Sequence, residues 1–284
     1  MSFKLDLHVH TESHGKILIN AGQLRQSFKN NNINGIAVTN FYDISHALWL
    51  KKKLQEFVII IGQEIWTKEG HLLGLGLKER IADSQDVEDT IGLIHDQGGI
   101  AVAPHPFLLL GVGEKVKSLP LDAIEVYSGL IGVTVVFNHK AKRLAEMMNV
   151  AQVASTDTTD PRFIGRSHTE VFVEEPDRIL VAIRAGRVKL YKRPLPLPFV
   201  FILKNALYFK DIEPCSLHAT HCILCEKTMT TRLFRKKHKC LDCGSEQRSR
   251  ISCCDGHFMC LVCILKRGQA LAEERGLPMA ERYK

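Results

Sequence analysis

Residues Leu5–Gly15 read LDLHVHTESHG, an alternating apolar run that ends in three closely spaced histidines, His8, His10 and His14. In a β-strand, successive side chains point to opposite faces. His8 and His10 therefore share one side, and both rings can face a single ion. The same short β-branched pattern recurs along the chain as FKLDLHV, GIAVTNF, FVIIIGQEI, HLLGLGL, GIAVAPH, DAIEVYS and AQVASTD. Amphipathic stretches such as AGQLRQSFKNN, ISHALWLKKKLQEF and VEDTIGLIHDQ separate several of these runs. Repeated βα alternation predicts a mostly parallel sheet or a barrel. A last strand–helix pair, TEVFVEE then PDRILVAIRAG, closes the region, with Gly186 as the helix stop.

Active sites of βα folds gather at the carboxyl ends of the strands. Here those ends carry His8 and His10, Asn40 and Phe41, Glu64, His105, Glu125 and Asp157, with His71 opening the stretch after Glu64. Imidazoles and carboxylates together suit Zn, Mn or Fe. Burying so many of them at one barrel mouth without a cation would be costly. His46, His95 and His139 fall in expected helices and read as ordinary structural or solvated histidines.

Four ordered motifs, DLHVHT, IIGQEIWTKEGHLLGLG, QGGIAVAPHPF and ASTDTTDPRFIGRSHTEV, resemble those of the PHP (polymerase and histidinol phosphatase) family over roughly residues 3–190. The resemblance implies a distorted (β/α)7 barrel that holds two or three divalent metals and hydrolyses phosphate esters, from small phosphomonoesters to nucleic-acid ends. It implies His8, His10, Glu64 and Asp157 as ligands of a first metal, and Glu64 (bridging), His71 and His105 as ligands of a second. His14 falls at a third-metal position. Where the family usually has Thr-Asp-His, this chain has Thr39-Asn40-Phe41, and its usual Asp-x-His is Asp157-Thr158-Thr159. His14 alone cannot make a metal site, so two metals are expected in the barrel. Two ions about 3.5–4 Å apart suffice in principle to activate a water and clamp phosphoryl oxygens. Arg166 is the candidate phosphate clamp and His168 the candidate acid for the leaving group.

The carboxyl-terminal part has another composition. From Arg187 onward there are 19 Lys/Arg against 9 Asp/Glu, whereas the first 186 residues carry 19 against 22. None of the nine cysteines precedes Cys215, and eight lie between Cys222 and Cys263. The expected organisation is a barrel domain over 1–192, a Pro-rich linker and packing segment over 193–214, a Cys-rich module over 215–267 and a polar, partly helical tail over 268–284. With no long apolar span and no signal-peptide core in MSFKLDLHVH, the expected location is the cytoplasm, where repeated Cys-x-x-Cys reads as metal sites rather than disulfides.

Cys222, Cys225, Cys240, Cys243, Cys254, His257, Cys260 and Cys263 make eight candidate ligands for two structural zinc ions. Cys253 competes with Cys254, which is preferred because CDGHFMCLVC resembles the knuckle of RING-like zinc folds. Folding ten residues around one tetrahedron is hard. The expected pairing therefore interleaves Cys222, Cys225, Cys254 and His257 on one ion with Cys240, Cys243, Cys260 and Cys263 on the other. Between the knuckles, RLFRKKHKC keeps the module basic even with metal bound, a surface suited to phosphate backbones. Few aromatics are present for base stacking, so sequence-specific reading is not indicated. Two functions follow as expectations. One is a two-metal phosphoesterase whose zinc module docks nucleic acid or another polyanion. The other is a catalytically degenerate barrel that serves as scaffold for the zinc module as a nucleic-acid- or protein-binding element.

Overall fold

The computed structural model describes residues 1–13, 16–83, 85–108, 110–129, 135–194, 229–242, 244, 246–253 and 257. The chain divides into two units, Met1–Pro196 and Leu197–Lys284. In the first, elements follow in the order β1 (Ser2–Val9), β2 (Glu12–Ser13), β3 (Lys16–Ile17), α1 (Ala21–Asn31), β4 (Gly35–Val38), α2 (Ser45–Lys53), β5 (Val58–Trp66), β6 (His71–Leu75) and α3 (Val87–Asp96). They continue with β7 (Ile100–Ala103), β8 (Ala123–Ser128), α4 (Val135–Met148), β9 (Ala151–Ser155), β10 (His168–Phe172), α5 (Ile179–Arg184) and β11 (Val188–Tyr191).

The main sheet has the order β11-β10-β1-β4-β5-β6-β7-β8-β9. Its far end returns to its middle. Just past β9, Thr158 forms a parallel bridge with Val9 of β1. The Asp157 N–H donates to His8 O and the His10 N–H to Thr158 O, both at 3.0 Å. Seven strands, β1 and β4 to β9, thus close into a ring, and β10 and β11 extend it outside β1. Within the ring the expected parallel order holds except at β6, which runs antiparallel to both β5 and β7, and outside the ring β10 runs antiparallel to β1 and to β11.

All seven ring strands contribute to one apolar cluster, through Leu5, Leu7, Ala37, Ile60, Leu73, Leu75, Ile100, Val102, Ala123, Ala151 and Val153. Ile179, Ala182 and Ile183 of α5 pack into the same cluster. Two further clusters bury the helices. Leu24 and Phe28 of α1 and Leu50 of α2 join Val9, Ile36 and Val38, while Ile91 and Ile94 of α3 and Leu144 of α4 join Ile65, Leu72 and Ile124. The register of β1 against β4 shifts between Asp6 and Val9, an irregularity that takes in His8 and precedes His10.

Helix α1 starts in a reciprocal capping box: the Asn20 side chain accepts from the Gln23 N–H, and the Gln23 side chain accepts from the Asn20 N–H. Helix α2 stops at Lys53, short of the expected run to Phe57, because Leu54 leaves helical geometry at φ −122°. The edge strand β11 was not expected. Its four residues follow Gly186, which turns the chain at φ 67°. In the second unit, β12 (Met229–Lys239) and β13 (Glu246–Cys253) pair as an antiparallel hairpin with a register shift between Thr231 and Lys236. The expected linker beyond Pro194, the greater part of the Cys-rich module and the polar tail lie outside the described residues.

Candidate metal centre

The site is built at the end of the ring where the parallel strands finish. β1 brings His8 and the residue just past its end is His10, β5 brings Glu64, the loops after β7 and β9 bring His105 and Asp157, and the reversed β6 starts there with His71. The antiparallel β6 therefore delivers a donor from its first residue to the same end that its neighbours reach with their last.

The two oxygens of Glu64 are divided between two sets of donors. Oε2 lies 3.2 Å from His8 Nε2 and 3.0 Å from His10 Nε2. Oε1 lies 2.6 Å from His71 Nδ1 and 3.2 Å from His105 Nε2. Asp157 Oδ1 completes the first set, 3.4 Å from His8 Nε2 and 3.5 Å from His10 Nε2. His8, His10, Glu64 and Asp157 form one group whose donor atoms could hold a metal ion; Glu64, His71 and His105 form a second. Both ring nitrogens of His10, both of His71 and Nδ1 of His105 are buried without a hydrogen-bond partner among the described residues. His71 Nδ1 in particular stands close to Glu64 Oε1 but off hydrogen-bond geometry. Lone pairs crowded in this way suit a shared cation, and the donor set fits a divalent metal.

The electrostatics agree. Burial would strip the proton from His8, but the Asp157 and Glu64 carboxylates overcome it and hold His8 well above the usual imidazole range. His10 and His105 are also held up by these carboxylates against burial. For His71 burial wins, and its pKa falls. Glu64 is driven well below the usual carboxylate range despite its burial, because His71 and His8 flank it. The backbone is strained where two donors meet the site: φ is +28° at His105 and +54° at Asp157, a region that L-residues rarely adopt.

Beneath the donors lies a residue that reading the strand ends noted without giving it a role. The carboxylate of Glu125 touches His8 Nδ1 at 3.4 Å, accepts from the His105 N–H at 2.7 Å and from the Ser155 hydroxyl. It thereby orients one histidine of each group. Only its place in the β8 run signals this in the sequence.

The remaining candidates fall elsewhere. Arg166 Nε donates to Pro194 O at 2.6 Å. The His168 ring stacks on Tyr191 with centroids 4.5 Å apart, and its Nδ1 lies 2.8 Å from Gly165 O. Neither residue is brought into the two donor groups. His14 lies outside the described residues. Phe41 stacks on His10, with centroids 4.7 Å apart at 22°. Asn40 is absorbed in structure, its Oδ1 accepting from the Thr11 and Glu12 N–H groups.

In the second unit Cys240 is 2 % exposed, and its carbonyl accepts from the Gly244 N–H at 3.0 Å in a tight turn. His257 is half-buried. Cys222, Cys225, Cys243, Cys254, Cys260 and Cys263 lie outside the described residues. No helix among the described residues is long and apolar enough to cross a membrane.

Residues 136–188 match the family model described as PHP-associated. Among solved structures, a two-domain protein from Bacteroides vulgatus containing a predicted PHP-like metal-dependent phosphoesterase aligns with a TM-score of 0.58 at 17% identity, over 90% of this chain and 88% of its own. PsfC from Pseudomonas syringae aligns with a TM-score of 0.54 at 15% identity, over 72% of this chain and 96% of its own. Both likenesses are of fold, and the first agrees with a PHP-type barrel. Uncharacterized protein MJ0417 of Methanocaldococcus jannaschii is 28% identical over 189 residues, 61% of this chain and 74% of that protein. Uncharacterized protein MJ1587 of the same organism is 34% identical over 139 residues, 44% of this chain and 81% of that protein. The chain belongs to the family of MJ1587, and it carries the PHP-associated domain on a PHP-like barrel.

Proposed function

We propose that the barrel is a divalent-metal-dependent phosphoesterase working with two ions. His8, His10, Glu64 and Asp157 would hold one, and Glu64, His71 and His105 the other; Zn, Mn and Fe all suit this donor set. The observation that carries the reading is the division of Glu64, one oxygen facing each group. Such ions supply Lewis acidity toward a phosphoryl oxygen and activate water at neutral pH. The chain's own residues position and shield that chemistry. Glu125 fixes the His8 ring and the His105 backbone, and Phe41 covers the His10 ring where a further ligand would otherwise stand. Arg166 and His168 need not act on the substrate in this scheme, since both are engaged toward Pro194 and Tyr191.

In the second unit we read Cys222, Cys225, Cys240, Cys243, Cys254, His257, Cys260 and Cys263 as ligands of two structural zinc ions. The basic hairpin strand Met229–Lys239 would be the part that meets nucleic acid or another polyanion. The turn closed by the Gly244 N–H on Cys240 O is compatible with a Cys-x-x-Cys knuckle.

The test is elemental analysis of the purified full chain, joined to hydrolysis of an aryl phosphate with added Mn²⁺ or Zn²⁺. Metal-dependent hydrolysis is expected. Glu64→Gln should lower it ~100-fold or more, the scale of removing one charge-stabilising group. The variant should lose barrel metal while retaining two zinc ions per chain. A barrel that takes up no metal, or that takes up metal and cleaves no phosphate ester, overturns the reading.

A further inference from the structure

Access to the donor cluster is one-sided. The side chains of His8, Glu64, His71 and His105 are 0 % exposed and that of Asp157 1 %, whereas that of His10 is 6 % exposed. Solvent therefore reaches the cluster beside the His10 ring, the ring on which Phe41 stacks. Phe41 also meets the His71 ring edge-on at 5.5 Å, so one phenyl group touches a histidine from each donor group. Trp66, at 5.8 Å, and Tyr42, at 6.0 Å, continue the wall, and all three aromatics are half-buried, each leaving part of its surface open.

The turn that holds this wall is built against resistance. The Asp43 N–H donates to Phe41 O at 2.8 Å across Tyr42, whose φ is +67°. That is a three-residue γ-turn of the positive-φ kind, rare and strained for a bulky residue. It is secured from both sides. Arg80 donates to Tyr42 O at 3.1 Å, and Asp43 Oδ1 accepts from the Ser45 N–H at 2.9 Å at the start of α2. Strain of this sort persists where the surroundings over-determine it, and it clusters at ligand-binding sites.

We propose that Phe41, Tyr42 and Trp66 form a leaving-group subsite that selects phosphate esters carrying a planar aromatic ring close to the phosphoryl group. The proposal rests on the phosphoesterase reading above. A phosphoryl group held between the two donor groups would have its organic substituent emerge past His10, against Phe41. Aromatic faces there offer stacking, which a flat ring can use and a small alkyl group cannot.

Phosphonates that cannot be hydrolysed separate binding from turnover. On the Mn²⁺-loaded full chain, calorimetric titration should show phenylphosphonate binding at least ~10-fold more tightly than methylphosphonate. Phe41→Leu should erase most of that preference, read as the ratio of the two phosphonate affinities. Because Phe41 packs on His10, Tyr42→Gly serves as a second variant that relaxes the turn without touching that ring, and it should also reduce the preference. Equal affinities for the two phosphonates, or a preference that survives both substitutions, would overturn the subsite alone. Failure of the metal-loaded protein to bind either phosphonate would remove the phosphoesterase reading, and the subsite with it.

Discussion

Glu125 shows what one side chain can do without touching a metal. Its carboxylate reaches His8 Nδ1 with one oxygen and the His105 backbone with the other, so one residue sets the pose of a donor in each group. Outer-shell partners of this kind tune ligand orientation and basicity. Glu125→Gln should weaken metal binding ~10–100-fold, measured by titration with a fluorescent chelator, with the fold retained by circular dichroism. Unchanged affinity would show that the Ser155 and histidine contacts are ornamental. The donors themselves are legible in the sequence, because strand ends in a βα chain converge and imidazoles with carboxylates are costly to bury idly. The role of Glu125 is not, since it appears only once His8 and His105, 97 positions apart in the sequence, come together around it. Phe41 is legible as a missing ligand; that it roofs the cluster and opens a strained turn is not, because φ at Tyr42 has no signature in the residue type.

At the scale of elements, the seven ring strands can be read from their β-branched runs, and α1 from its periodicity. What escapes is direction and small size. Nothing in HLLGLGL says that β6 reverses, and the four-residue β11 and two-residue β2 and β3 are too short for a periodic signal. One close approach fixes the pairing of β4 with β5. Gly35 lies opposite Val58, and a Cβ on Gly35 would stand 1.8 Å from the Val58 carbonyl oxygen, a backbone atom that cannot rotate aside. Gly35→Ala should therefore destabilise the barrel at the upper end of the ~1–3 kcal/mol typical of overpacking, read as a lower urea midpoint. A neutral result would mean that the two strands can separate locally at no cost.

For the molecule as a whole, the buried cluster couples metal to stability. A cation that binds the folded barrel and not the unfolded chain adds ~2.7 kcal/mol at a free concentration a hundredfold above its Kd. Thermal unfolding of the barrel is thus expected to move up with Mn²⁺ or Zn²⁺ and down with chelator, and Glu64→Gln should abolish the upward shift. Zinc held at the proposed Cys-rich sites of the second unit would survive that substitution, so the two transitions could be told apart. Composition alone sets a basic, Cys-rich carboxyl part apart from the first 186 residues.

The reversal of β6 has a consequence for the order of events in folding. Glu64, His71 and His105 come from β5, β6 and the loop just after β7, neighbours both in sequence and in the sheet, and Glu64 and His71 sit in one hairpin. Contacts so local form early. The other group joins His8 and His10 to Asp157 across the seam where β9 meets β1, and it cannot exist until the ring has closed. An ion there would act as a clasp between the two ends of the barrel, much as a cross-link closes a long loop. The two ions would then be acquired in sequence, the hairpin's first and the seam's last, with the second arrival marking completion of the barrel.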